Sequence, residues 1–159
     1  MIFITLGSQK FQFNRLLIEI DRLVEEGKIT EELFAQIGYS DYEPKNYEYK
    51  KFLDRDEFSY IMDKCDKVIT HGGTGAIIGA VKKGKKVIAI PRLAKYGEHV
   101  DDHQLQIVKQ FNEMGFIGVC DDIKYLKKMY DDIESRKMEI YISNTETIIE
   151  SIETFLKSF

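Results

Sequence analysis

The sequence has 159 residues, with 23 Lys and Arg against 27 Asp and Glu, which gives a formal net charge of −4. This length fits one domain and is short for a complete two-lobed enzyme. Because the balance is acidic and no five like charges follow one another, we expect no nucleic-acid partner. Cys65 and Cys120 form no CxxC motif and no Cys/His cluster, so buried free thiols are expected rather than a disulfide or a metal site.

Residues 1–7 have the pattern of a strand that runs into a turn, without the basic segment and cleavage site of a signal peptide. No apolar stretch reaches the roughly 18 residues that a membrane span requires. We therefore expect a cytoplasmic chain with reduced cysteines.

Apolar runs alternate with segments of helical spacing along the chain. In chain order the patterns predict a strand at 2–6, a helix at 13–24, an apolar stretch at 32–38, a short strand near 47–52, a helix at 55–65, a strand at 67–70, a helix at 74–83, a strand at 85–91, a helix at 105–113, a strand at 115–120, a helix at 122–133 and a terminal helix at 148–159. We expect the terminal helix to pack back on the domain.

Short strands that alternate with amphipathic helices are typical of a parallel sheet covered on both faces. The sequence therefore predicts an α/β fold, with a Rossmann-like parallel sheet and helices on both faces, as one domain over residues 1–159. Ligands of such sheets bind beyond the carboxyl ends of the strands. Three turns are predicted there: one begins at Gly7, one starts at His71, and one follows Pro91.

The turn at His71 contains three glycines and leads from a strand into a helix. Glycine lets the backbone approach a ligand closely, and the first turn of a helix offers unpaired N–H groups at its positive end. These features suit a phosphate or diphosphate. The alternative is a turn that needs glycine only for packing. The turn is not a P-loop, and no acidic residue ends the next strand to bind a ribose, so ATPase and NAD-binding functions are disfavoured.

The polar loop after Pro91 is long for a connection in a small domain, which is typical of functional loops. It contains Glu98, Asp102, His103 and Gln104, whose polar groups suit hydrogen bonds to sugar hydroxyls. Asp102 and Gln104 also suit the N-cap and first turn of the following helix.

The histidines allow other interpretations. His71 has the chemistry to donate to a diphosphate oxygen, to act as a base, or to bond a backbone carbonyl. His99, Asp101 and His103 have a spacing that can converge on a metal ion, which we keep as an alternative.

The sequence HGGTGAIIGAVKKGKKVIAIPR is followed by YGEHVDDHQ, a predicted helix and MGFIGVC. This ordered set of motifs resembles the C-terminal, nucleotide-sugar-binding lobe of family 28 glycosyltransferases of the two-lobed B type, and the resemblance covers nearly the whole chain. It is most similar to small stand-alone subunits of that family, which act in N-acetylglucosamine transfer in the dolichol pathway and in galactosyl transfer for bacterial capsules and exopolysaccharides.

The resemblance implies roles for individual residues. Those implied to bind the diphosphate of a UDP-sugar are His71, Gly72, Gly73, Thr74 and Gly75. Those implied to bind the donor sugar are Asp102 and Gln104, with His103 between them. Gly7 and Ser8 match a loop that faces the cleft between lobes. Many relatives have a ribose-binding Glu where this chain has Gly79, so we expect Glu98 to contact the ribose instead.

The implied reaction moves a hexosyl group from a UDP-sugar to a lipid-linked sugar acceptor in capsule or exopolysaccharide biosynthesis. Backbone N–H groups and the helix dipole would stabilise the leaving diphosphate, so no metal or other cofactor is expected. The catalytic residue is unassigned, with His71 as a candidate. The general base usually comes from the N-terminal lobe, so we expect a membrane-associated partner subunit that binds the acceptor and recruits this chain to the inner face of the membrane.

Three other functions are kept as alternatives. The first is a nucleotide-binding or regulatory module without catalysis, which the glycine at position 79 favours. The second is a metal-independent sugar-nucleotide epimerase, which would need both lobes in one chain. The third is a different α/β binding protein in which the glycine turn serves packing alone.

Overall fold

Six strands form one parallel sheet in the computed structural model, which describes residues 1–157. The strands are β1 (Ile2–Thr5), β2 (Leu33–Gln36), β3 (Glu48–Lys50), β4 (Lys67–His71), β5 (Lys86–Ile90) and β6 (Gly118–Val119). The helices are α1 (Asn14–Glu25), α2 (Arg55–Lys64), α3 (Thr74–Lys82), α4 (His103–Glu113), α5 (Leu126–Ser135) and α6 (Thr145–Lys157). The strand order is β3-β2-β1-β4-β5-β6.

Helices cover both faces of the sheet because the strand side chains alternate between two cores. In β4, Ile69 packs in a core with α1 and α5, whereas Val68 packs in a core with α2, α3 and α4. Cys65 and Cys120 are buried free thiols, as predicted. The predicted Rossmann-like α/β fold is confirmed, and its carboxyl-terminal edge is the place where ligand-binding turns should lie.

The last strand and the helix after it differ from the prediction in their bounds. β6 contains only Gly118 and Val119 of the expected strand at 115–120. A short 3-10 turn at Ile123–Tyr125 precedes α5, so this helix begins later than predicted and ends at Ser135.

The terminal helix is the main correction to the predicted fold. We expected α6 to pack on the domain, but none of its residues 145–157 is buried, and Ile149, Ile152 and Leu156 are 50%, 54% and 65% exposed. Helical spacing of apolar residues shows that a helix has an apolar side, and it does not show what that side contacts. Phe159, which belongs to the same predicted stripe, lies outside the described residues. Over residues 1–157, no helix has the length and apolar character that crossing a membrane requires.

Residues 37–47 connect the parallel strands β2 and β3 without a helix, although such a crossover is usually helical. Asp21 of α1 holds this connection in place. Its carboxylate accepts hydrogen bonds from the Tyr42 hydroxyl at 2.6 Å and from the N–H groups of Lys45 and Asn46 at 2.9 Å each. Burial alone would raise the pKa of Asp21, but these hydrogen bonds outweigh it and bring the pKa below its usual value of 3.8.

We predict that Asp21→Asn lowers the free energy of unfolding by roughly 2–4 kcal/mol. The amide nitrogen of Asn would face O–H or N–H groups that now donate hydrogen bonds to the carboxylate. Since the folded pKa is depressed, the stabilisation is complete above the unfolded pKa and is lost as pH falls through the folded pKa. Urea unfolding at several pH values measures both effects. Asp121→Asn, at an exposed position, controls for the loss of one charge. Equal stability of the two variants would contradict this role of Asp21.

Candidate active site

Three loops meet at the carboxyl ends of β1, β4 and β5. His71 is the last residue of β4, and Gly7 lies in the turn that follows β1. The side chain of Gln104, in the first turn of α4, joins two of these loops. Its Oε1 accepts hydrogen bonds from the N–H of Gly72 at 2.9 Å and from the N–H of Arg92 at 3.0 Å. Residues distant in the sequence are thereby brought into one cluster.

The helix that begins in this cluster, α3, has an open N-terminus. Its N-cap residue is Gly73, and no side chain of the described residues caps it. The Ile77 N–H is bonded to the Gly73 carbonyl oxygen at 3.1 Å. The N–H groups of Thr74, Gly75 and Ala76, which precede it, therefore have no partner within the helix. With the helix dipole, they form a place suited to an anion.

The glycines of this turn are required for different reasons. An added Cβ at Gly73 would lie 2.1 Å from His71 Cε1, and one at Gly72 would lie 2.9 Å from Gln104 Cβ. Packing therefore explains these two glycines. A Cβ at Gly75 would meet no atom within 4 Å in the described part of the chain. Packing therefore does not account for Gly75.

His71 is enclosed between the two glycine turns. A Cβ at Gly7, whose φ is +72°, would lie 2.8 Å from His71 Nε2, and Gly73 packs against the same ring. Ser8, the next residue of the first turn, is exposed. Burial and the nearby charge of Arg92 lower the pKa of His71 to about 3. The imidazole is therefore neutral at pH 7 and is a poor general base.

Gln104 determines which nitrogen of His71 carries the proton. Because Oε1 of Gln104 already accepts two backbone N–H groups, its amide nitrogen is the atom that faces His71 Nδ1, at 3.4 Å. An amide nitrogen only donates, so Nδ1 accepts and Nε2 is protonated. Nε2 makes no hydrogen bond to any of residues 1–157 and lies beside the Gly7 turn.

Two other predicted sugar-binding residues have partners inside the protein. Glu98 is 1% exposed and accepts hydrogen bonds from Arg15 at 2.6 and 3.0 Å and from the Leu93 N–H at 2.9 Å. Because both oxygens are used, the structure does not support the expectation that Glu98 binds the ribose. Asp102 is exposed, and its Oδ1 accepts a hydrogen bond from the Ala94 N–H at 2.8 Å.

His103 begins α4, and its side chain is 47% exposed. The Nδ1 atoms of His99 and His103 both contact the Asp101 carboxylate, and one possible ligand atom from each residue lies within 4.8 Å of the other two. The metal alternative is therefore geometrically feasible. Asp101 also accepts the His103 N–H at 3.0 Å, so the same contacts serve to fix the start of α4.

Arg15 and Arg92 belong to the site, and the sequence patterns did not indicate either of them. Arg15 fixes Glu98 within the loop after β5. Arg92 is 1% exposed, and its Nη2 donates to the carbonyl oxygens of Leu6 at 2.8 Å and Phe11 at 3.3 Å. The position of Arg92 just beyond the carboxyl end of β5 was the available signal, because ligands bind at that edge.

A groove of about 910 Å³ lies away from this cluster, around the edge strand β3 and the side of α2 that faces it. Its lining includes the apolar side chains of Phe34, Leu53 and Ile61, together with Tyr60 and Lys64. None of the residues predicted to bind a ligand lines this groove. The groove and the predicted binding residues therefore lie in different parts of the fold.

The glycosyltransferase family 28 C-terminal domain matches residues 1–158 of the sequence. The chain belongs to this family. The match includes the glycine turn, the loop after β5 and the start of α4, so the whole cluster lies within the family domain.

The chain is similar to proteins described as UDP-N-acetylglucosamine transferase subunit ALG13. It is 28% identical to the Homo sapiens protein over 108 residues, which are 68% of this chain and 8% of that protein. It is 36% identical to the Saccharomyces cerevisiae protein over 62 residues, which are 39% of this chain and 29% of that protein. The matches therefore span less than two thirds of the length of these relatives.

Solved structures share the fold. The solution structure of ALG13 aligns with a TM-score of 0.60 at 18% identity, over 95% of this chain and 93% of that one. MurG of Acinetobacter baumannii aligns with a TM-score of 0.58 at 18% identity, over 85% of this chain and 41% of that one. At such identities the similarity concerns the fold, which is that of the lobe expected for this family.

We predict that Gln104→Glu moves the proton of His71 from Nε2 to Nδ1, because a carboxylate oxygen would then accept from Nδ1 while its partner oxygen keeps the two backbone N–H groups. Long-range ¹H–¹⁵N spectra of the imidazole distinguish the two tautomers directly. Gln104→Met removes both interactions and serves as the matched variant. A His71 protonated at Nδ1 in the unaltered chain would contradict this assignment, whatever the effect of the substitutions on stability.

Proposed function

We propose that the chain binds the diphosphate of a UDP-sugar at the N-terminus of α3 and is the donor-binding part of a glycosyltransferase that transfers a hexosyl group. The observation that carries this proposal is the uncapped N-terminus with an open Gly75, in a chain of the family 28 domain. The names of the curated relatives, which refer to UDP-N-acetylglucosamine transfer, support a uridine nucleotide.

The chemistry of the site suits a leaving diphosphate. As the bond to the sugar breaks, negative charge grows on the diphosphate, and groups that already point toward it stabilise the transition state. The N–H groups of Thr74, Gly75 and Ala76 supply fixed dipoles, and Nε2 of His71 supplies a neutral N–H. His71 acts here as a hydrogen-bond donor, and the general base comes from outside this chain.

Recognition of the sugar is proposed for the start of α4. Asp102 and His103 are exposed there, beside the Gln104 amide that borders the diphosphate site. Gln104 contributes through its amide nitrogen, since its oxygen is already used. Position 79 is a glycine, and Glu98 is bonded to Arg15 and to the Leu93 N–H. We therefore propose that residues other than these two bind the ribose.

We propose that a membrane-associated subunit binds a lipid-linked glycan acceptor and recruits this chain to the inner face of the membrane, in the synthesis of a capsule or exopolysaccharide. The relatives are named as subunits, which supports a partner. The exposed apolar side of α6, which includes Ile149 and Ile152, offers a surface for it.

Ile152→Asp is expected to abolish co-purification of this chain with the membrane fraction of its source cells, because a carboxylate would be buried against the partner. Binding of UDP and thermal stability should not change, since Ile152 is 54% exposed in the chain by itself. Glu153→Gln, on the neighbouring position, is the control. Unchanged recovery of Ile152→Asp with membranes would contradict this use of α6.

A nucleotide-binding module without catalysis is the second candidate function. Two features favour it. Position 79 is a glycine and not a ribose-binding acid, and His71 is only weakly basic, which leaves the cluster without a strong base. Binding of UDP without any sugar transfer by the reconstituted complex would support this candidate.

Gly75 gives the sharpest test of the binding site. Gly75→Ala is expected to raise the free energy of unfolding by up to about 1 kcal/mol, because alanine favours a helix and the new Cβ meets no atom within 4 Å. Gly75→Leu should fold as well but weaken UDP binding by about 10-fold or more, because its side chain blocks the N–H groups. Calorimetric titration with UDP and thermal unfolding measure the two properties.

Lys82→Leu, which adds the same side chain at the other end of α3, is the control for that experiment. Because we propose that no metal ion takes part, EDTA should leave the UDP affinity unchanged. Equal UDP affinity of Gly75→Leu and the unaltered chain would exclude the N-terminus of α3 as the diphosphate site. Loss of affinity in EDTA, restored by Mn²⁺, would instead favour the group formed by His99, Asp101 and His103.

A further inference from the structure

The side chain of Arg92 is the most unusual feature of the cluster. It is 1% exposed, yet among the described residues neither Nε nor Nη1 has a hydrogen-bond partner. These atoms carry three N–H groups. Leaving a buried donor without a partner costs about 1–3 kcal/mol, and more when the group is charged. Buried donors without a partner are rare in folded proteins, so those of Arg92 require an explanation.

Arg92 forms no ion pair with any residue that the structure describes. Burial lowers the pKa of Arg92, and the charge of Glu98 opposes that effect. The oxygens of Glu98 are hydrogen-bonded to Arg15 and to the Leu93 N–H instead. His71 is neutral, so the cluster contains two guanidinium groups and one carboxylate, and the charge of Arg92 is balanced only in part.

Arg92 spans the space between the two glycine turns. Its N–H shares the Gln104 oxygen with the N–H of Gly72, and its Nη2 reaches the carbonyl oxygen of Leu6, just before Gly7. The guanidinium also lies 5.4 Å from the centre of the Phe13 ring. An anion that enters between the turns therefore approaches Arg92 as well as His71.

A side chain that only supported the Gly7 turn would not need the donors at Nε and Nη1. Two carbonyl oxygens occupy one nitrogen of Arg92, and the remaining donors add desolvation cost without a bond. We propose that Arg92 is an oxyanion-binding residue of the donor site, with Nε and Nη1 receiving a phosphate or a sugar carboxylate of the nucleotide-sugar. This inference rests on the proposed function and extends it to the charge of the donor group.

The turn from Gly7 to Phe11 lies next to this side chain, since Arg92 Nη2 donates to the carbonyl oxygens of Leu6 and Phe11 at its two ends. Its Ser8, Gln9 and Lys10 are exposed, and the Phe11 N–H donates to the Gln9 carbonyl oxygen at 2.8 Å. The Gly7 carbonyl oxygen also accepts from the Gln36 amide at 3.4 Å, so the turn is fixed at Gly7 and Phe11 and exposed between them.

The first test uses the unaltered chain. The Nε–H resonance of Arg92 is identified by its absence in Arg92→Lys, and it is followed while UDP, UDP-glucose, UDP-glucuronic acid or inorganic pyrophosphate is added. A shift of this resonance with UDP and pyrophosphate assigns the oxyanion to the diphosphate. A shift with UDP-glucuronic acid alone assigns it to the sugar carboxylate. An unmoved resonance in a chain that binds these ligands overturns the proposal.

The second test measures affinity. Arg92→Met should weaken binding of the assigned ligands by about 10- to 100-fold, the loss expected when a charge-assisted hydrogen bond is removed. Arg92→Lys should recover part of that loss because it keeps the charge. Arg22→Met, on the exposed end of α1, is the charge-matched control. A lower unfolding temperature with unchanged affinities would show that Arg92 is only a support for the Gly7 turn.

Different results would exclude UDP-sugar binding by this chain and the role of Arg92 in it. If the unaltered chain binds neither UDP nor any UDP-sugar, the proposed function and this inference both fall. If it binds UDP and the UDP-sugars, and Arg92→Met binds them with the same affinity, the proposed function stands and the role of Arg92 is excluded.

Discussion

One carboxamide oxygen joins the loops on which the site depends. Gln104 Oε1 accepts the N–H groups of Gly72 and Arg92, two backbone donors that would otherwise be buried without partners. Such donors are almost always satisfied in folded proteins, so this bond fixes the turn after β4 against the loop after β5. The same amide orients His71. The geometry of the proposed diphosphate site is therefore set by a residue of α4, 32 positions after Gly72 in the sequence.

The cluster combines an exposed helix end with two buried side chains. Its N–H donors are those of the N-terminus of α3, the guanidinium of Arg92 and the protonated Nε2 of His71, and its buried carboxylate, Glu98, is bonded to Arg15. Gly7 and Gly73 are needed so that two turns close on the His71 ring, while Gly75 leaves room outside it.

The sequence predicted the strands, the order of the elements and the edge of the sheet at which the glycine turns lie, because these follow from periodicity and from the glycine turns. It did not reveal the pairing of Arg15 with Glu98, because these residues are 83 positions apart and local sequence patterns do not show which distant residues meet. For the same reason Glu98 was predicted as a ribose ligand. The predicted packing of α6 on the domain was wrong, because an amphipathic pattern shows which side of a helix is apolar and not what that side contacts. The sequence alone also did not show that Gly7 and Gly73 are needed for packing against His71 whereas Gly75 is not, because this depends on which side chains lie beside each glycine.

Titration of the ¹⁵N-labelled chain with UDP tests our proposal that the N-terminus of α3 receives the diphosphate. We expect the largest backbone amide shifts at Thr74, Gly75 and Ala76, with a further shift of the His71 ring. Shifts concentrated around the groove between β3 and α2, with the α3 amides unmoved, would contradict it.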